Sequence, residues 1–76
     1  MALSHLRQIV EKIASDKEVE IIGSMDTAMR SADRKLDGGD IDVSEAIKML
    51  RSAFGIKFSS DDYRKIEKEV GINLRR

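Results

Sequence analysis

The 76-residue chain has no cysteine, no proline and no tryptophan, and aromatic residues make up 4% of it. Without cysteine it can form no disulfide, no thiolate zinc site and no cysteine nucleophile. It also lacks an excess of either charge: 14 basic residues face 14 acidic ones. That balance argues against a general nucleic-acid binder, which carries a basic surplus, and against an acidic carrier or a disordered tail. No long apolar run is present. The start, Met1-Ala2-Leu3-Ser4-His5-Leu6-Arg7, reads as neither a signal peptide nor a membrane span, so the expected compartment is the cytoplasm and no membrane partner is expected. The length allows one domain. A chain this short buries only ~60% of its unfolded surface, and one such core rarely supplies more than ~3–5 kcal/mol. Packing, an ion on oxygen ligands or a partner must supply the stability.

What is present is helical spacing. Apolar residues recur at three- and four-residue steps in four places: Leu6, Ile9, Val10 and Ile13; Met25, Ala28, Met29, Ala32 and Leu36; Val43, Ala46, Ile47, Leu50 and Phe54; Tyr63, Ile66 and Val70. Two β-branched or aromatic runs, Val19-Glu20-Ile21-Ile22 and Ile56-Lys57-Phe58, interrupt them and read as short extended pieces. Ser24 is placed to cap the second helix, with Asp26 in its first turn. Asp42 and Glu45 have capping-box spacing for the third, and Ser59 or Ser60 before Asp61 and Asp62 serves the fourth. Gly23, Gly38-Gly39, Gly55 and Gly71 fall at or near the expected helix ends, where left-handed backbone is wanted.

The order is symmetrical. At a shift of 37 residues Leu6 meets Val43, Ile9 meets Ala46, Val10 meets Ile47, Ile13 meets Leu50 and Ile21 meets Phe58. At 38, Met25 meets Tyr63, Ala28 meets Ile66 and Ala32 meets Val70. The burial pattern repeats although the identities do not. Each half is a helix–loop–helix with one apolar stripe, and neither closes a core alone. Packed face to face they would, with the two extended pieces side by side as a minimal antiparallel pair.

This layout resembles a pair of EF-hands. Val43-x-x-Ala46-Ile47-x-x-Leu50 looks like the incoming helix of a hand, Arg51 to Asp62 has loop length, Phe58 stands at the eighth loop position and Asp62 at the twelfth, and Tyr63, Ile66 and Val70 look like the outgoing helix. The first half resembles the same frame with a shortened loop, Ala14 to Ser24. The resemblance implies an all-α fold: one four-helix EF-hand lobe over residues 1–76, with hand one at about 3–36, a linker at 37–42, hand two at 43–72, and a two-stranded β contact between the loops. The calcium ligands are missing. Such a loop needs oxygen ligands at its first, third and fifth positions, glycine at the sixth and a bidentate acid at the twelfth. Here Arg51, Ala53 and Gly55 stand at the first three, and the sixth is Ile56. The segment 33–45, rich in acids from Asp33 to Glu45, fits a calcium loop in neither register and reads as a linker whose acids cap the third helix. Neither a metal nor another cofactor is expected, and residual weak calcium or magnesium binding at 33–45 is left open.

Little could carry covalent chemistry. The one histidine, His5, lies near the N-terminus, the serines read as caps, and no Ser/His/Asp grouping, phosphate loop or HExxH spacing occurs. An enzyme is not expected. The methionines are more informative, since flexible thioethers fill irregular cores and also line grooves that take amphipathic helices. By resemblance to calmodulin-like proteins and myosin light chains, the expected function is a calcium-independent protein-binding module that grips an amphipathic basic helix. The best-fitting instance is a single-lobe myosin light chain on an IQ motif of a myosin heavy chain. The groove residues this implies are Met25, Met29, Met49, Phe54, Ile66 and Val70, with Glu67 and Glu69 as an acidic rim. Two alternatives stand beside it. One is a small helix-turn-helix-like nucleic-acid-binding domain built on the second and third helices, with Lys48 and Arg51, although Asp40, Asp42 and Glu45 crowd the start of its recognition helix. The other is a calcium-binding EF-hand regulator.

Overall fold

The computed structural model describes residues 3–75. Four helices, α1 (Leu6–Asp16), α2 (Gly23–Asp37), α3 (Val43–Phe54) and α4 (Ser60–Arg75), follow one another, with a 3-10 turn over Gly55–Lys57 between the last two. Each helix packs beside its two neighbours in a ring, α2 with α3 most extensively, and the backbones of the diagonal pairs lie farther apart. The start of α1 meets the ends of α2 and α4 through Ser4, while its end meets the start of α4 through Lys17 and Asp62. The α1–α2 and α3–α4 connections therefore lie at one end of an up-and-down bundle.

The apolar stripes build the core. Leu6, Val10, Ile13 and Ala14 of α1, Met25, Met29, Ala32 and Leu36 of α2, Ala46, Ile47, Leu50 and Phe54 of α3, and Tyr63, Ile66 and Val70 of α4 are all buried together, with Phe58 between α3 and α4. Ile9, Ile21, Val43 and Met49 pack on its edge. At ~1.5–3 kcal/mol for each large side chain taken from water, this burial is the main favourable contribution to folding.

Two of the expected helix starts form as capping boxes. Asp42 Oδ1 accepts from the Glu45 amide at 2.8 Å and Glu45 Oε1 accepts from the Asp42 amide at 3.4 Å. Ser59 Oγ accepts from the Asp62 amide at 3.2 Å, and Asp62 Oδ2 accepts from the Ser59 amide at 2.8 Å. Each satisfies backbone donors that a helix start leaves open. α2 departs from expectation: its N-cap is Ile22, which offers no side-chain bond, and Ser24 lies within the helix. Asp26 still stands in the first turn and pairs with Arg30 at 2.8 Å.

The expected two-stranded β contact does not form, and no strand occurs among the described residues. Val19 to Ile22 is irregular, but its intended partner is not extended. Gly55 turns at φ 54° into the 3-10 turn, which takes Ile56 and Lys57, and only Phe58 has extended backbone. Phe58 turns inward to stack on Phe54, ring centroids 4.8 Å apart, so the segment packs by its ring rather than by a backbone ladder. Only Gly39 and Gly55 among the glycines take positive φ. Gly23 opens α2, and α4 runs through Gly71 without a break. The left-handed residue that ends α1 is Glu18, at φ 57°, where the amides of Glu18 and Val19 bond back to Ser15 and Ala14.

Candidate protein-binding surfaces

Of the six side chains expected to line a groove, five face inward. Met25, Met29, Phe54, Ile66 and Val70 are each 2% exposed or less and converge on one core drawn from both halves of the chain. They form no groove in this structure. Met49 alone reaches the surface: it is half-buried in a cleft between α2 and α3, lined also by Ser24, Ala28, Lys48, Ser52 and Ala53. The two rim acids are exposed but stand apart from it and from each other. Glu69 borders a cleft between α1 and α4 with Ile9 and Ile13, and Glu67 borders another at the end of α4 with Val43 and Ile72.

The loop end is fastened by aromatic and ionic contacts. The Phe58 and Tyr63 rings lie 5.8 Å apart, and the Tyr63 hydroxyl donates to the Gly55 carbonyl at 2.7 Å. Arg51, which stands where a calcium loop would begin, instead lays its guanidinium 4.6 Å from the Tyr63 ring centroid. The Lys17 ammonium bonds the Asp62 carboxylate and lies 5.9 Å from the Phe58 ring centroid. The bond from Lys17, then that from the Ser59 amide, holds the Asp62 carboxyl below its ordinary range. Burial pushes the Tyr63 phenol up, against the opposing charge of Arg51.

The opposite end is held by a polar clasp that the sequence reading overlooks. Ser4 is fully buried. Its hydroxyl donates to Asp33 Oδ1 at 2.8 Å and accepts from the Leu6 amide at 3.2 Å. Its amide donates to Asp37 Oδ1 at 2.9 Å, and its carbonyl accepts from Asn73 Nδ2 at 2.8 Å. One serine thus joins the starts of the chain and of α1 to the ends of α2 and α4. His5, expected in a loose terminus, is exposed but sits as the N-cap of α1 at φ 57°. The one available sequence signal was the spacing of Ser4 two residues before Leu6, which suits a serine turn.

The acids of the 33–45 segment are divided between tasks. Asp33 and Asp37 hold Ser4, while Asp42 and Glu45 cap α3. Among the described residues no group of three or more His, Asp or Glu is arranged to hold a metal ion. No helix among them is long and apolar enough to cross a membrane. Comparison with protein-family models, with curated proteins and with solved structures finds no match to the chain.

Proposed function

We propose that the chain is a calcium-independent protein-binding module that grips an amphipathic helix, built as an EF-hand-like lobe with degenerate loops. The target class the resemblance favours is a basic helix such as an IQ motif of a myosin heavy chain, bound as a single-lobe light chain binds it. The observation that supports this reading is the convergence of Met25, Met29, Phe54, Ile66 and Val70, from three helices, on a single core. These are the side chains a lobe would present to a target once opened between α1–α4 and α2–α3, and methionine adapts to varied partners. Free opening is costly. At ~1.5–3 kcal/mol for each exposed side chain, uncovering all five exceeds the ~3–5 kcal/mol available to a domain this small. Opening is therefore coupled to target insertion, with no open state populated beforehand.

The test is titration of a fluorescent IQ-type helix peptide in calcium and in chelator, with the methionine methyl groups followed by NMR. The expected result is saturable binding of equal affinity in both buffers, with shifts at Met25 and Met29. Absence of binding in both buffers refutes the reading. Binding only with calcium favours the calcium regulator, and salt-dependent binding of duplex DNA favours the helix-turn-helix alternative.

A further inference from the structure

The chain holds one Asp-Gly pair, Asp37-Gly38, where α2 ends. The pair has a chemistry of its own. The amide nitrogen of the residue after an aspartate can attack the side-chain carboxyl carbon and close a five-membered succinimide. Glycine in that place hinders the nitrogen least, and its backbone bends most freely toward the ring. Gly38 itself is not required by the turn. Its backbone is right-handed, at φ −81°, and a methyl added there would come no closer than 3.4 Å, to the Arg34 carbonyl. The positive φ of this turn falls on Gly39.

Both reacting groups are held in the folded chain. The Gly38 amide donates to the Arg34 carbonyl at 3.0 Å, and Asp37 Oδ1 accepts from the Ser4 amide at 2.9 Å. Ring closure must break both bonds and take Asp37 out of helical backbone. The surroundings admit water. Gly38 is exposed, and Asp37 is half-buried on an open cleft of about 450 Å³ shared with Leu3, His5 and Asp33. Helix ends also open more readily than the body of a fold.

We propose that Asp37-Gly38 is a site of spontaneous backbone isomerisation, kept slow by the Ser4 clasp and able to undo it. The Gly38 nitrogen bonds to Asp37 Cγ as the Cγ–O bond of the protonated carboxyl breaks. The departing oxygen leaves as water, with the carboxyl and amide protons. A second water opens the ring at the Asp37 main-chain carbonyl. The product is an isoaspartyl link through Cβ and Cγ, with a free carboxylate on Cα. Water is the sole co-reactant, and one molecule is lost and one gained. The link adds one atom to the backbone, so the bonds from Gly39 to Leu36 and from Asp40 to Lys35 lose their register. The carboxyl group that accepted from the Ser4 amide is consumed, and the strap before α1 loses one of its two bonds to α2. The reaction needs neither a target nor an opened core, so it goes beyond the reading above.

To test it, the full chain is aged at neutral pH and body temperature and digested with trypsin, which releases residues 36–48 as one peptide. Isomerisation splits that peptide into two chromatographic forms of equal mass, and electron-transfer fragmentation locates the isoaspartate. It is expected at Asp37 and not at Asp40 or Asp42. In the folded chain it builds up at least roughly tenfold more slowly than in a synthetic peptide of residues 33–42. Ser4→Ala removes most of that protection. Asn73→Ala, which spares the hydroxyl bonds of Ser4, removes less of it and stands in where Ser4→Ala fails to fold. Gly38→Ala stops the reaction while circular dichroism shows the fold kept. Tyr63→Phe loosens the other end by removing the bond to Gly55. Brought to equal stability with urea, it isomerises more slowly than Ser4→Ala. The proposal is overturned if no isoaspartate forms at Asp37 in the aged chain or in the clasp variants. It is also overturned if the folded chain reacts as fast as the peptide, or if Tyr63→Phe matches Ser4→Ala at equal stability. That last result would assign the release to global unfolding.

Discussion

Ser4→Ala strikes the clasp at its centre. It removes a hydrogen bond to a carboxylate, worth ~1.5–3 kcal/mol, and strips the Leu6 amide of its acceptor at a buried position, a further ~1–3 kcal/mol. Asp33 is only half-buried and regains water, which returns part of the first amount. The net expectation is about 2 kcal/mol, close to half of what a domain this small commands. At ~4–8 °C per kcal/mol for a domain of this size, Tm falls by about 8–16 °C. Urea unfolding followed by circular dichroism measures the change directly. Asn73→Ala, which removes only the bond to the Ser4 carbonyl, is expected to cost about 1 kcal/mol. Ser15→Ala, at an exposed position, serves as the control and stays within about 0.5 kcal/mol. A loss at Ser4→Ala no larger than that control's would refute the assignment of a structural clasp.

Backbone, charge and core each give a further expectation. Gly71→Ala stabilises by up to ~1 kcal/mol, because the added methyl meets open space inside a helix, whereas Gly39→Ala at φ 76° destabilises by ~1–2 kcal/mol; thermal melts of the two variants move in opposite directions. Glu18→Gly raises stability by ~1 kcal/mol by relieving a left-handed non-glycine residue, as read by urea midpoint. Asp62 has a lowered carboxyl pKa, so its contribution is complete above the unfolded value near ~4 and disappears as pH falls through the lower folded value. Asp62→Asn should therefore cost more at neutral pH than in strong acid, and stability-versus-pH curves of the two proteins should converge at the acid end. Phe54→Ala removes a buried ring stacked on Phe58 and costs ~3–5 kcal/mol, enough to leave the chain largely unfolded by near-ultraviolet and far-ultraviolet dichroism.

The four helices were legible because each carries its apolar residues on one stripe, and tertiary packing rewards that stripe directly. The matched positions of the two halves, from Leu6 with Val43 to Ala32 with Val70, are all buried or half-buried. Asp42 with Glu45 and Ser59 with Asp62 were legible because a cap is a local bond over three residues. The connections were harder. Ile56-Lys57-Phe58 has strand composition, but only one of its two apolar side chains could turn inward, and stacking on Phe54 selected Phe58. Gly71 suggested a helix end, yet Leu74 beyond it packs on the core and Asn73 reaches Ser4, contacts that carry α4 to Arg75. The clasp joins residues 29, 33 and 69 positions apart around one serine, a pairing no short-range pattern encodes. For the site, composition marked the methionines as adaptable but could not tell Met25 and Met29, on the core stripe, from a groove. Met49 was separable because it lies off the stripe of α3.

The two ends of the bundle divide the work of holding it closed. At the loop end, the Phe54–Phe58–Tyr63 cluster, the Tyr63 bond to Gly55 and the Lys17–Asp62 pair bind α1, α3 and α4 together. At the other end, Ser4 alone among the hydrogen bonds described ties α1 to α2. Because α2 packs most extensively on α3, the opening proposed above would carry these two helices together and would need the clasp to let go. In that reading Ser4 is a latch. A helix that enters the core must meet the energy of the latch and of the five uncovered side chains. Ser4→Ala therefore tests the opening. It tightens a core-entering peptide by up to about thirtyfold, the equivalent of about 2 kcal/mol. Equal affinity of wild type and variant for a peptide that shifts Met25 and Met29 would show that the clasp is not the latch.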